Sequence, residues 1–215
     1  MKAIIFDLDG VIVHTDEYHY RAWKQLAERL GLAFDEKKNN RLRGVSRRES
    51  LDIVLEGSEL TALSEAEKTA LCDEKNASYV AFLQTMGPEA LAAEVRDALN
   101  VLRERGYKLA IGSSSRNAGL ILDKIGLGDF FDAICDGNDI SHSKPDPEVF
   151  LKAAAFLGVP AADCVVVEDA LAGVEAARRA GMKVIAMGDA GGCGAGDVNV
   201  EGFGEILNSY AAPLH

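Results

Sequence analysis

The chain has no Cys-x-x-Cys pair. Its four cysteines, Cys72, Cys135, Cys164 and Cys193, are widely dispersed, with no histidine at metal-ligand spacing. That pattern speaks against a zinc site and offers no disulfide framework, so the thiols are expected to be reduced and mostly buried. Long apolar runs are also missing. The apolar start is broken by Asp7 and Asp9, and no stretch approaches the ~18 consecutive apolar residues of a membrane span. No secretory leader is read, and the expected compartment is the cytoplasm. Positive charge is scarce: 23 Lys and Arg stand against 34 Asp and Glu, a formal net charge of −11. A polyanion would be repelled in the absence of a basic patch, so neither nucleic acid nor an anionic membrane is an expected partner. An acidic protein that binds phosphate must supply its cations locally. Internal repeats and low-complexity tracts are not evident. The glycine-rich run at 191–196 imitates a nucleotide loop, but Asp197-Val198-Asn199 follows it where a helix should open, and it reads as a flexible surface loop.

What the chain does have is an apolar strand that carries two acids. In Ile4-Ile5-Phe6-Asp7-Leu8-Asp9-Gly10-Val11-Ile12 the carboxylates at 7 and 9 point the same way, and Gly10 lets the chain turn sharply beside a ligand. A solvated strand end is the plain alternative; buried, the two acids need a metal or a cationic partner. Further short apolar segments at 108–113, 133–135, 164–168 and 183–187 alternate with amphipathic helices. This predicts an α/β fold, a doubly wound, Rossmann-like parallel sheet with helices on both faces. Roughly a hundred residues separate the first two strands, far more than a crossover helix requires. Helical spacing at 17–30, 48–55 and 64–85, with Ser64 and Glu67 as a capping box, predicts an inserted α-helical cap domain at 15–88, leaving 1–14 and 89–215 as the core. Ligands of such sheets sit at the carboxyl ends of the strands, so the active site is expected in the crevice between core and cap.

A carboxylate can attack a phosphoryl group and hold it as an acyl phosphate, a role suited to Asp7, while Asp9 protonates the departing oxygen and later takes a proton from the attacking hydroxyl. Two carboxylates facing a phosphate call for a divalent cation, and Mg²⁺ suits, held by Asp7 and by the Glu168-Asp169 pair at the end of the fourth strand. Helix N-capping is the other use for such a pair. Ser113, Ser114, Ser115, Arg116 and Asn117 follow the second core strand and open a helix, where N–H groups and hydroxyls can cradle phosphate or simply cap. Lys144, before Pro145, could neutralise transition-state charge, or be a surface lysine. Arg47 can grip a phosphate bidentately, and His19 shares a helical face with Trp23, the chain's one tryptophan.

The FDLDG segment, followed by HTDEYHYRAW, then GVSR (Gly44, Val45, Ser46, Arg47), IGSSSRN, SKPDPEVF and VVVEDALAG, resembles the β-phosphoglucomutase family of the haloacid dehalogenase-like phosphotransferases from end to end. The resemblance implies Mg²⁺-dependent interconversion of β-D-glucose 1-phosphate and D-glucose 6-phosphate, by way of an aspartyl-phosphate and glucose 1,6-bisphosphate. It also implies the Asp9 carbonyl as a metal ligand, Ser113 on the transferring phosphoryl group, and Ser115, Arg116 and Asn117 on the other phosphate. His19 would belong to a network that positions Asp9, Lys75 and Asn76 would contact sugar hydroxyls, and the protein would be a monomer. His14 and Ala170 depart from the family pattern, which bears on cap motion more than on reaction type. A sugar-phosphate phosphatase is the alternative enzyme. A non-catalytic sensor should have lost Asp7, Asp9 or Lys144, and all three are present.

Overall fold

The computed structural model describes residues 2–42 and 45–209. The chain divides into two compact units, Met1–His14 with Gly87–His215, and Thr15–Met86. The second join lies two residues before the expected 88/89 boundary.

The first unit is built on a parallel sheet of six strands in the order β3-β2-β1-β4-β5-β6. The strands are β1 (Ala3–Phe6), β2 (Lys108–Gly112), β3 (Ala133–Cys135), β4 (Cys164–Glu168), β5 (Lys183–Ala186) and β6 (Val198–Asn199). β1 and β4 are buried along their whole length, which is why they read as unbroken apolar runs: helices cover both faces of a parallel sheet. The covering helices are α5 (Ala93–Glu104), α6 (Ala118–Lys124), α7 (Glu148–Leu157), α8 (Leu171–Arg179), α9 (Gly188–Gly192) and α10 (Phe203–Ser209). Ile5, Ala110, Val149, Phe150, Val166 and Val184 belong to one buried cluster between sheet and helices. The strand order reverses direction between β1 and β4, and their register pairs Phe6 with Val167. Asp7 and Glu168 therefore leave the sheet side by side at the switch point, where a doubly wound sheet opens for a ligand.

The glycine-rich run at 191–196 departs from the expected surface loop at its first two residues, and 193–196 lie outside any helix or strand. Gly188–Gly192 forms α9, and two glycines of the run pack closely on β5, whereas Gly192 and Gly194 face open space: a Cβ on Gly196 would lie 2.7 Å from Ala186 N, and one on Gly191 2.9 Å from Ala186 O. β6, only two residues long, was not anticipated.

The second unit is helical: α1 (Asp16–Arg29), α2 (Glu36–Asn40), α3 (Arg47–Leu55) and α4 (Glu65–Leu83). Trp23, Leu26, Ala27, Leu51, Val54, Leu55 and Cys72 form its apolar centre. The capping box expected at Ser64 and Glu67 opens α4, and a second, Ser46 with Glu49, opens α3. Among the described residues no helix is long and apolar enough to cross a membrane.

Candidate active site

Beyond β1 the chain folds into a tight loop, with Gly10 N–H donating to Val13 O at 2.8 Å and the Ile12 and Val13 N–H groups donating back to Leu8 O. Gly10 has φ +88°, and a Cβ there would sit 2.1 Å from Asp169 Oδ2. Only glycine meets both demands, the left-handed backbone and the approach of the β4 carboxylate. Asp7 N–H donates to Val167 O at 2.9 Å, which ties the first acid to the same strand.

Lys144 Nζ bridges Asp7 Oδ1 at 2.5 Å and Glu168 Oε1 at 2.6 Å, and all three side chains are buried. Glu168 Oε2 accepts from Ala170 N–H at 2.8 Å. Burial pushes the Asp7 carboxyl well above the usual carboxylate range; Lys144 opposes this, while Glu168 and Asp9 add to it as like charges. Burial alone would lower Lys144, yet the two carboxylates outweigh it and raise its pKa, so the ammonium stays charged. Opposite it stand three carboxylates that repel one another. A divalent cation suits such a set of hard oxygen donors.

Both Glu168 oxygens accept hydrogen bonds, one from Lys144 and one from the Ala170 N–H, so Glu168 anchors Lys144. Among the described residues the grouping of three side-chain donors within 4.8 Å of one another is His142, Asp146 and Glu148, at the start of α7. There Glu148 Oε2 already accepts from the Ser141 and His142 N–H groups, and Oε1 pairs with Lys152.

The segment after β2 is knit by its own hydroxyls. Ser113, buried, accepts from Ser115 N–H at 3.1 Å, and Ser115 Oγ accepts from Asn117 N–H at 3.2 Å. Each hydroxyl keeps an O–H proton that can be donated to a phosphate oxygen. Asn138 braces the turn from β3's exit, its Nδ2 donating to Arg116 O at 3.0 Å. No sequence signal pointed to Asn138.

The helical unit gathers a second set. Lys75 Nζ lies 2.8 Å from His19 Nδ1, and the ammonium stands over the Trp23 and Tyr79 rings. Burial, then Lys75, then Arg47 push the His19 pKa well below its ordinary value, so these cations surround a neutral imidazole. Asn76 is half-buried one residue along α4. Val45 is exposed, and the Ser46 hydroxyl is used in capping α3, accepting from Glu49 N–H at 3.2 Å. Gly44 lies outside the described residues. Tyr79 escaped the sequence reasoning, although its spacing of four from Lys75 was a usable sign.

Comparison with known proteins bears on this chemistry. A profile of haloacid dehalogenase-like hydrolases matches residues 1–181. The chain is 44% identical to the β-phosphoglucomutase of Bacillus subtilis over 189 residues, 87% of this chain and 84% of that protein. It is 34% identical to the phosphorylated carbohydrates phosphatase of Thermotoga maritima over 187 residues, 86% of this chain and 84% of that one. The crystal structure of β-phosphoglucomutase from Clostridium difficile matches with a TM-score of 0.90 at 35% identity, covering 98% of this chain and 95% of that one.

Proposed function

Because the chain belongs to the haloacid dehalogenase-like hydrolase family, we propose that it is a Mg²⁺-dependent phosphomutase that interconverts β-D-glucose 1-phosphate and D-glucose 6-phosphate. The observation that carries the mutase reading is the cationic set of the helical unit, Arg47 and Lys75 beside His19. Water as an acceptor needs no second phosphate site; a bisphosphate does.

In this scheme an Asp7 oxygen attacks phosphorus in glucose 1,6-bisphosphate, the P–O bond to the sugar breaks, and Asp9 gives its proton to the departing oxygen. When the 1-phosphate has been taken, glucose 6-phosphate leaves and β-glucose 1-phosphate enters; its 6-hydroxyl attacks the aspartyl-phosphate, Asp9 takes the hydroxyl proton, Asp7 is released as a carboxylate, and the regenerated bisphosphate turns to present its other phosphate to Asp7. Lys144, held by Glu168, stands against the charge on the phosphoryl oxygens, and Ser113 donates its hydroxyl proton to one of them. Mg²⁺, when bound by Asp7, Asp169 and the Asp9 carbonyl, supplies further positive charge to the same oxygens. Arg47, Ser115, Arg116 and Asn117 hold the phosphate that is not reacting, and Lys75 and Asn76 meet the sugar hydroxyls. We place the protein in the cytoplasm as a monomer; its four free thiols suit a reducing compartment.

The test is incubation with β-glucose 1-phosphate, Mg²⁺ and a trace of glucose 1,6-bisphosphate, with glucose 6-phosphate and inorganic phosphate assayed separately. Glucose 6-phosphate should dominate, and Arg47→Ala should cut mutase flux by about two to three orders of magnitude while raising the share of inorganic phosphate. Release of mainly inorganic phosphate by the wild type would replace this reading with a phosphatase.

A further inference from the structure

His19 and Trp23 on α1, and Lys75 and Tyr79 on α4, are each spaced by four residues, so each pair lies on one face of its helix. The two helices pack together and bring these faces into contact. The Lys75 ammonium, 2.8 Å from His19 Nδ1, has only protons to give, so Nδ1 must accept. A neutral His19 then carries its proton on Nε2. The Tyr79 ring is stacked on the imidazole, with centroids 4.1 Å apart and 25° between the planes. The same ring lies 4.6 Å from the Lys75 ammonium, which Trp23 faces at 5.0 Å. Tyr79 and Lys75 are 1% and 2% exposed. One phenol ring thus touches both members of the pair. Stacking fixes the imidazole plane, and the π-face offsets part of the burial cost of the ammonium.

We propose that Tyr79 is a positioning residue that locks the His19–Lys75 pair, holding His19 as its Nε2–H tautomer, a fixed hydrogen-bond donor for a sugar-phosphate ligand rather than a proton carrier. The ligand named here rests on the function proposed above; the lock itself does not. The charged groups acting on the imidazole are Lys75 from α4 and Arg47 from α3, and both disfavour a second proton on the ring. A leucine at 79 would fill space yet supply neither a stacking plane nor a π-face, which separates positioning from simple packing.

The experiment is a long-range ¹H–¹⁵N correlation spectrum of the full chain labelled in its histidines, with steady-state kinetics on β-glucose 1-phosphate. In the wild type, His19 should show a protonated Nε2 and a bare Nδ1 from about pH 5.5 to 8, across the range where a free imidazole titrates. Tyr79→Leu should mix the tautomers, let His19 titrate, and lower kcat/KM about tenfold or more through KM. Tyr79→Phe, which keeps the ring, should rescue both readouts. Should Tyr79→Leu fail to fold, Lys75→Met removes the donor to Nδ1 and should also release the tautomer. A wild-type His19 protonated on Nδ1, or titrating near its ordinary value, overturns the lock. So does a folded Tyr79→Leu protein with the wild-type spectrum and kcat/KM. The spectrum is read without turnover: a locked tautomer in a protein that makes no glucose 6-phosphate upholds the lock and removes the mutase reading instead.

Discussion

Gly173→Ala should cripple a helix that alanine would ordinarily improve. Gly173 lies in the first turn of α8, and in an open helix the exchange would stabilise by about 0.5–1 kcal/mol. Here a Cβ would meet Glu168 Oε1 at 1.7 Å and Cδ at 2.0 Å, inside any non-bonded limit. The carboxylate must swing away, breaking its 2.6 Å contact with Lys144 and its 2.8 Å bond from Ala170 N–H. Hydrogen bonds to a charged group are worth about 1.5–3 kcal/mol each. Two lost, less the helix gain, leave a net destabilisation of about 2–5 kcal/mol, or roughly 4–20 °C in Tm for a chain of this length. Lys144 loses one of its two anchors, and a misplacement of that kind costs phosphoryl transfer about a hundredfold. Gly119→Ala is the control: it is an exposed glycine in α6 with nothing within 4 Å of a Cβ. Its alanine variant should gain up to about 1 kcal/mol. Calorimetry and phosphoryl-transfer assays on both variants decide the matter. A Gly173→Ala protein that melts and turns over like the wild type would refute the role of Glu168 as the anchor of Lys144.

Gly10→Ala should lose at least ~1–2 kcal/mol to its left-handed backbone alone and should raise the Mg²⁺ needed for half-maximal rate, because the Cβ displaces Asp169; denaturation and a Mg²⁺ titration would show both effects. Excess EDTA should abolish transfer and Mg²⁺ restore it, with Asp169→Ala demanding far more metal; undiminished activity in EDTA would remove the cation from the reaction. Burial, with Asp139 second, pushes the Cys135 thiol up from 9.0 to about 12. A folded pKa above the unfolded one costs stability as pH rises through that interval. The wild type should therefore lose about 2 kcal/mol relative to Cys135→Ala between about pH 8 and 10.5, and parallel stability curves for the two would contradict the burial of that thiol.

The core was legible because burial on both faces leaves a local mark. Strands such as Cys164–Glu168 are short, β-branched and unbroken, and an acid directly at the end of one, as at Asp7, stands out at once. The glycines at 191 and 196 were misread for the opposite reason. Glycine written locally means freedom, yet here it means contact, since Ala186 of β5 occupies the space a side chain would take. That contact joins segments the local pattern treats as separate. Asn138 was invisible for the same cause: its bond to Arg116 O crosses 22 positions of chain, and nothing near 138 announces it.

The acids at 168 and 169 are adjacent in sequence but meet different partners. β4 ends at Glu168, and Asp169 lies just past it, before α8. Glu168 turns into the protein to hold Lys144, and the Asp169 carboxylate lies over Gly10. Adjacency in sequence suggested a shared metal; the hydrogen bond to Lys144 is what the structure gives Glu168. Ser46 is set apart from Arg47 in the same way. A serine three residues before Glu49 is a capping box first, and the structure uses its hydroxyl there.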